Sequence, residues 1–548
     1  HVWLKTVLSK PVGGEGGAGR QHGGEDMPSV TTVTPRGARH LAGICICIGP
    51  ALAAAAAEPA RQLPATCEAA AVGGGWAGVY SAYRLAALGV QVCLFEATER
   101  IGGRTYSHRF EVGHRHENFT LDLGAYRFSP DMHLPGDIIL RNLRLPVSCY
   151  EPDCPDASLD FPPPFHFNYS APLVRIVDGD GMPAGYVTAI DGMVDEIKKV
   201  GGSVFLHARL TDVEPMEGSR SVRLHFDDHV VEVQKVLLNL PRQAILGLPT
   251  LLAATPQRTV KMQECVKFDI PTTFFPPGEK FDLGRSLTKA YAFYEEAWWH
   301  TRLNKTSGQW PSNAFVPVNT SVGIPIGIHF NDGPVRCEAP GVGCRGFLEV
   351  FYAPASETFF ESLRPSPLEP LGLLREGGAG TAKLQQLHAA ILEATAELWE
   401  RASVARPTAP PTLLAVGVWS REGHGYTAPT KVYYSTSAAV PGGPDPLERA
   451  CGVPGLSEAE YRLAVLAPLA SHDLLVANND WVAQTTETLF GDWAEESLLQ
   501  AERGLRLQGF SAPGWLDAAY YRAKVADVLA SDLGLRAGGR GPVTQVLV

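Results

Sequence analysis

Hydrophobic and polar positions along the chain fall into two periods, and their order predicts the elements. Ala69 to Val72 is a continuous apolar run, Val79 to Leu88 has helical spacing, and Gln91 to Phe95 is a second apolar run. Strand, helix and strand in that order predict a βαβ unit, which needs a parallel sheet. Val194 to Val200 is amphipathic; Ser203 to Leu206, Leu210 to Glu214 and Val222 to Leu238 are strand-like. Apolar residues alternate after Lys289, predicting a strand that ends near Trp298 and Trp299. Ala382 to Arg401 sets Leu384, Leu387, Ile391, Leu392 and Leu398 on one helical face, a core pattern without chemistry. Near Leu463 the pattern is expected to turn strand-like again, with Leu474 to Ala477 as a late strand.

Glycines punctuate the first unit in an informative way. Gly73, Gly75 and Gly78 form Gly-x-Gly-x-x-Gly between the first strand and the helix, with Trp76 and Ala77 inside the motif. The first glycine allows a tight turn, the second lets backbone approach a pyrophosphate, and the third allows close helix–strand packing. The free N–H groups of the helix N-terminus then face the phosphates. The second strand ends in Glu96, where a carboxylate can hold ribose hydroxyls, followed by Ala97. Beyond it, Gly102, Gly103 and Arg104 add a second close approach and a cation for a diphosphate. These residues predict dinucleotide binding.

Length and charge narrow the class. The 548 residues suffice for two or more domains, and 45% hydrophobic with 19% charged residues are globular values. A net charge of -11 argues against nucleic acid as partner. No internal repeat is evident, and no mid-chain apolar span is long enough for a membrane helix, so no stable span is expected in the mature chain. The chain starts at His1 rather than Met. Residues 1–57 are expected to be upstream read-through followed by a targeting peptide, because Arg36, Arg39 and His40 precede an apolar run, Leu41 to Ala57. Secretion is the expectation; a transit peptide to an organelle is the alternative, since Ser29 to Thr34 is hydroxyl-rich. Asn-x-Ser/Thr sequons at Asn118, Asn168, Asn304 and Asn319 favour export, as do the close pairs Cys149/Cys154 and Cys337/Cys344 as short disulfide loops. Neither pair has zinc-site spacing, so no metal is expected.

The run from Val72 to Thr105 resembles the flavin-containing amine oxidase superfamily, and further motifs are similar to its L-amino-acid oxidases. The resemblance implies non-covalent FAD, with an NAD-binding unit as the alternative. It also implies an FAD domain interleaved with a sheet-based substrate domain: FAD-binding parts at 66–130, 186–259 and 462–535, substrate parts at 131–185 and 260–461, and a tail at 536–548. Leu121 to His133 resembles the segment over the flavin ring, which assigns Gly124 and Ala125 to the cofactor and Tyr126 and Arg127 to substrate. Arg127 has a physical use there, because its planar fork binds a carboxylate in bidentate fashion. The alternative is an Arg locked to Asp122 or Asp131.

Lys289 resembles the family lysine that holds a water near the flavin and assists reoxidation by O2. Leu210 is implied beside the adenine, and Asp480, Asp492 and Ala494 beside the flavin. The C-terminal flavin motif is expected at 491–503, though 514–519 is closer in letters. Trp493 and Tyr426 are implied as aromatic walls. The expected reaction is oxidation of the C–N bond of an L-amino acid with O2, giving H2O2, ammonia and a 2-oxo acid. The alternatives are a polyamine or monoamine oxidase and a catalytically idle flavoprotein. A homodimer is compatible with the resemblance.

Overall fold

A computed structural model describes residues 62–111, 116–129, 132–150, 173–265, 287–314, 316–353, 358–366, 369–419, 432–434, 446–481, 483–485 and 494–534. The fold is mixed α/β, with a Rossmann-like sheet and a second, antiparallel sheet.

The first sheet draws its strands from three stretches of the chain. Ser203–Phe205, Val92–Phe95, Thr66–Val72, His229–Leu238 and Leu474–Val476 lie side by side and parallel. Val222–Phe226 and Leu210–Pro215 extend the first half of the His229–Leu238 strand as antiparallel neighbours. Parallel strands covered on both faces read as unbroken apolar runs, and the central strands are buried accordingly. Helices Trp76–Ala87, Val187–Lys199 and Ala494–Leu507 pack on one face, around Tyr80, Leu85, Ile190, Met193, Leu498 and Leu505. The opposite face buries Phe95, Phe205, Phe226, Val236 and Trp481.

The second sheet runs Gln309–Trp310, Ile328–His329, Arg345–Ala353, Leu287–Tyr294, Leu413–Trp419 and Leu371–Arg375, with Val335–Arg336 also on the Arg345–Ala353 strand. The Ala379–Ala394 helix lays Leu384, Leu387 and Ile391 against one side of it. Tyr291, Phe293 and Phe347 on the other side meet Phe119, Leu121 and Leu123. That second contact presses the segment after residue 120 onto the Leu287–Tyr294 strand.

Several expectations change in detail. The helix anticipated over 382–401 is two helices, Ala379–Ala394 and Ala396–Ala402, meeting at Thr395. The strand-like stretch expected near Leu463 is instead the Glu458–Leu466 helix. Ser457 caps it by accepting the amide of Glu460, a Ser-x-x-Glu signal that outweighs the local apolar run. The amphipathic segment from Val194 is the second half of a helix that begins at Val187. Cys337–Cys344 is a disulfide as expected, whereas Cys67–Cys93 and Cys265–Cys451 are bonds that spacing did not reveal. Cys149 is disulfide-bonded, and Cys154 lies outside the described residues. No helix among the described residues is long and apolar enough to cross a membrane.

Candidate active site at the glycine loop and the substrate sheet

Sterics explain the glycine loop. Gly73 leaves the first strand at φ +104, and a Cβ there would lie 2.6 Å from the Asn239 carbonyl oxygen. At Gly78 a Cβ would lie 1.7 Å from the Gly73 carbonyl oxygen, so helix and loop meet only because both residues are bare. Gly75 is the N-cap of the Trp76–Ala87 helix and supplies no side-chain cap. A Cβ on Gly75 would find only Gly103 Cα, 3.9 Å away. The first-turn N–H groups are thus left for an anion. Trp76 and Ala77 are buried, and Trp76 Nε1 donates to Thr105 Oγ1 at 3.0 Å. Glu96 accepts Gly74 N–H at 2.7 Å on one carboxylate oxygen, and Thr98 N–H and Oγ1–H at 2.8 Å on the other. Ala97 follows, half-buried.

Arg104 ties this loop to the end of the chain. Its guanidinium lies 3.1 Å from Asp480 Oδ1 and donates to Asn479 Oδ1 at 2.9 Å, across 375 residues. Asp480 in turn accepts the Arg242 amide, and its carbonyl accepts Arg242 Nη2 at 2.6 Å. Arg242 is buried beneath the ring of Trp481. Sequence reasoning missed Arg242, whose only local signal is its place just after the long strand. The Arg104 carbonyl accepts Ala125 N–H at 3.2 Å, and a Cβ on Gly124 would sit 2.1 Å from that oxygen. The segment leading to Tyr126 and Arg127 is therefore laid directly along the Gly102–Arg104 turn.

Lys289 stands at the other side of that segment. It is 1% exposed, and its Nζ donates to the Asp122 carbonyl at 3.4 Å. The ammonium nitrogen lies 3.4 Å from the centroid of the Tyr126 ring and 4.7 Å from that of Tyr352. Burial pushes its pKa down to about 8, against the opposing pull of Glu349 and Asp122. Arg127, buried as well, lies between the rings of Tyr126 and Tyr150, at 4.5 and 4.3 Å. The arrangement brings together two cations, three tyrosines and the carboxylates Glu349 and Asp332 around one ring, that of Tyr126.

The C-terminal helix Ala494–Leu507 rests on the Trp76–Ala87 helix and touches the Asn479–Trp481 turn. Tyr80 and Arg84 both bind the buried Glu502 carboxylate, at 2.5 and 2.6 Å. Ala494 opens this helix. The competing stretch around Gly514 also leads into helix, which runs through Ala518–Tyr521, Arg522–Ala526 and Asp527–Asp532. Glu495 accepts the Leu134 amide at 2.9 Å and the Tyr520 hydroxyl, and burial pushes its carboxyl up to about 8. Leu210 is half-buried and packs against the cluster that holds Phe95, Phe205 and Phe226. Tyr426, Asp492 and Trp493 lie outside the described residues.

Comparison with known proteins adds one local match and distant likenesses. Residues 72–134 match the family model described as an NAD(P)-binding Rossmann-like domain. No curated protein matches the chain. Among solved structures, wild-type putrescine oxidase bound to putrescine is similar at 13% identity and a TM-score of 0.44, covering 80% of this chain and 98% of that one. A triple mutant of the same enzyme is similar at 14% identity and a TM-score of 0.44, covering 80% and 97%. What geometry and the family model share is the nucleotide-binding character of residues 72–134.

Proposed function

We propose that this chain is an FAD-dependent oxidase acting on the C–N bond of an L-amino acid, releasing H2O2, ammonia and a 2-oxo acid. One observation carries the reading: an unbroken path of contacts from the glycine loop through Arg104 and Gly124 to Tyr126, Arg127 and Lys289. A nucleotide with a redox ring fits that path. Bare backbone at Gly75 and Gly103, an open helix N-terminus and a cation at Arg104 suit a diphosphate, and the Glu96 carboxylate suits a ribose diol. FAD would supply the two-electron acceptor that O2 regenerates.

The chain's own residues would do the rest. Glu96, Arg104 and the first-turn amides hold the nucleotide. Arg127 orients a carboxylate through its planar fork. Lys289, with a pKa near 8, holds or releases a proton at Nζ close to neutral pH. Both cations lie against the ring of Tyr126, Lys289 at 3.4 Å and Arg127 at 4.5 Å from its centroid.

A second reading has its own support. Tyr126, Asp332, Tyr352 and Glu349 already surround Arg127 with acidic groups, so Arg127 does not need an anionic substrate. An amine lacking a carboxylate would then be oxidised instead. A panel of L-amino acids and amines, assayed for peroxide, tests both readings against Arg127→Ala. Loss of about 100-fold or more with amino acids and none with amines supports the first; peroxide from amines alone supports the second.

Export belongs to the same proposal. The disulfides Cys67–Cys93, Cys265–Cys451 and Cys337–Cys344 suit an oxidising compartment, and Asn118, Asn304 and Asn319 are each exposed.

A further inference from the structure

The Leu287–Tyr294 and Arg345–Ala353 strands are not in even register. Lys289 faces Tyr352 and Ala290 faces Phe351, but the pairing then slips, so that Tyr291 faces Glu349. Side chains alternate along a regular strand, which would send Glu349 and Tyr352, three positions apart, to opposite sides. The slip turns both to the side of Lys289 and Tyr291, the re-aiming that an extra strand residue performs beside active sites. His329, on the neighbouring strand, pairs with Glu349 and shares that side.

Glu349 is 0% exposed, and the side chains of Tyr291 and Asp332 reach its carboxylate. His329 Nδ1 also lies 3.0 Å from Oε2. A carboxylate so enclosed is costly unless a donor or proton reaches it. Asp332 brings a second carboxylate, and the polar atoms of His329, Asp332 and Glu349 lie within 4.8 Å of one another. Burial, and then Glu349, push the Asp332 carboxyl well up. Tyr150 donates its hydroxyl to Asp332 while its ring flanks Arg127, which makes the cluster continuous with the substrate residues. The other groups facing it are Lys289 and Tyr291, whose polar atoms reach the Asp122 carbonyl, with Tyr352 and Tyr126.

We propose that Glu349 removes a proton from the incoming substrate ammonium, with His329 as the next carrier. The inference rests on the oxidase reading but not on the choice between amino acid and amine, since both arrive as ammonium ions. The N–H bond breaks, its electron pair stays on nitrogen as the lone pair of the free amine, and the proton forms an O–H bond on Glu349. Transfer to His329 Nδ1 restores the carboxylate and leaves an imidazolium that discharges to water. Nothing is oxidised or reduced in this step.

The test uses full-length FAD-loaded protein, the best substrate of the panel, and kcat/KM from pH 6 to 10 for wild type, Glu349→Gln and His329→Gln. In Glu349→Gln, kcat/KM should follow the free-base fraction of the substrate. For an ammonium with a pKa two units above the assay pH it should fall about 100-fold, converging on wild type above that pKa. His329→Gln should show a smaller shift of the same limb, which keeps the test open if Glu349→Gln loses FAD. A uniform fall across the pH range, or an unchanged profile, overturns the proposal. So does activity lost on chelation and restored by a divalent ion, which would make the cluster a metal site. Wild type that releases no peroxide from any substrate would instead sink the oxidase reading itself, and this proposal with it.

Discussion

Lys289→Met should make the protein more stable at neutral pH while impairing it as an oxidase. Lys289 is 1% exposed, and its pKa falls from 10.5 to about 8. The folded state therefore disfavours the charged lysine by about 2.5 pKa units, or about 3 kcal/mol at about 1.4 kcal/mol per unit. The direction is fixed by linkage: between about 8 and 10.5 the unfolded chain binds the proton and the native one does not, so stability rises with pH there. Below about 8 both states are charged and the penalty is complete. Methionine has similar length and no charge, so the substitution removes the penalty without emptying the site. For roughly 480 residues the unfolding entropy is roughly 1 kcal/mol/K, and the gain corresponds to about 3 °C in Tm. Thermal unfolding of both proteins at pH 7 and pH 10 is the assay. The gain should be near 3 °C at pH 7 and below about 1 °C at pH 10. A variant that is less stable at pH 7, or a difference that ignores pH, would refute the reasoning.

Other residues give sharp expectations. Gly78→Ala puts a methyl 1.7 Å from the Gly73 carbonyl oxygen and should cost more than about 4 kcal/mol, read as loss of soluble, flavin-binding protein; soluble yellow material would contradict it. Glu495 has its carboxyl raised from 4.5 to about 8, so wild-type stability should fall as pH rises across that window. Glu495→Gln should gain on wild type by about 1 kcal/mol per pH unit there, and parallel denaturation midpoints at pH 5, 7 and 9 would sink this. Replacing Cys67 and Cys93 together by Ala should lower stability by about 2–4 kcal/mol in denaturant titrations, because the bond closes a loop of 26 residues. Protein made in a secretory host should lose mass on enzymatic deglycosylation and lose one step fewer in Asn304→Gln; an unchanged mass would count against export.

What the sequence made legible was what neighbouring residues decide. Gly73 and Gly78 are bare because two backbone segments only a few residues apart collide otherwise, and that pattern reads in one dimension. The alternation after Lys289 likewise announced a strand, Leu287–Tyr294. What stayed hidden depends on which distant strands lie side by side. Glu349 faces Tyr291 only through a one-residue slip between strands some sixty positions apart, and no local pattern encodes it. Asp480 was singled out for the cofactor, but its grip on Arg104 and Arg242 belongs to the parallel register of Leu474–Val476 on His229–Leu238. Cys67 and Cys93 escaped for the same reason, since they join adjacent strands rather than the ends of a short loop.

The central claim is that the loop after Val72 and Arg104 hold a flavin beside Lys289, and the absorbance spectrum of the purified chain tests it most directly. The account predicts oxidised flavin bands that leave the protein as free FAD on acid treatment, and that bleach under anaerobic addition of a substrate amino acid or amine. Protein that stays colourless after incubation with FAD, while binding NAD, would contradict it.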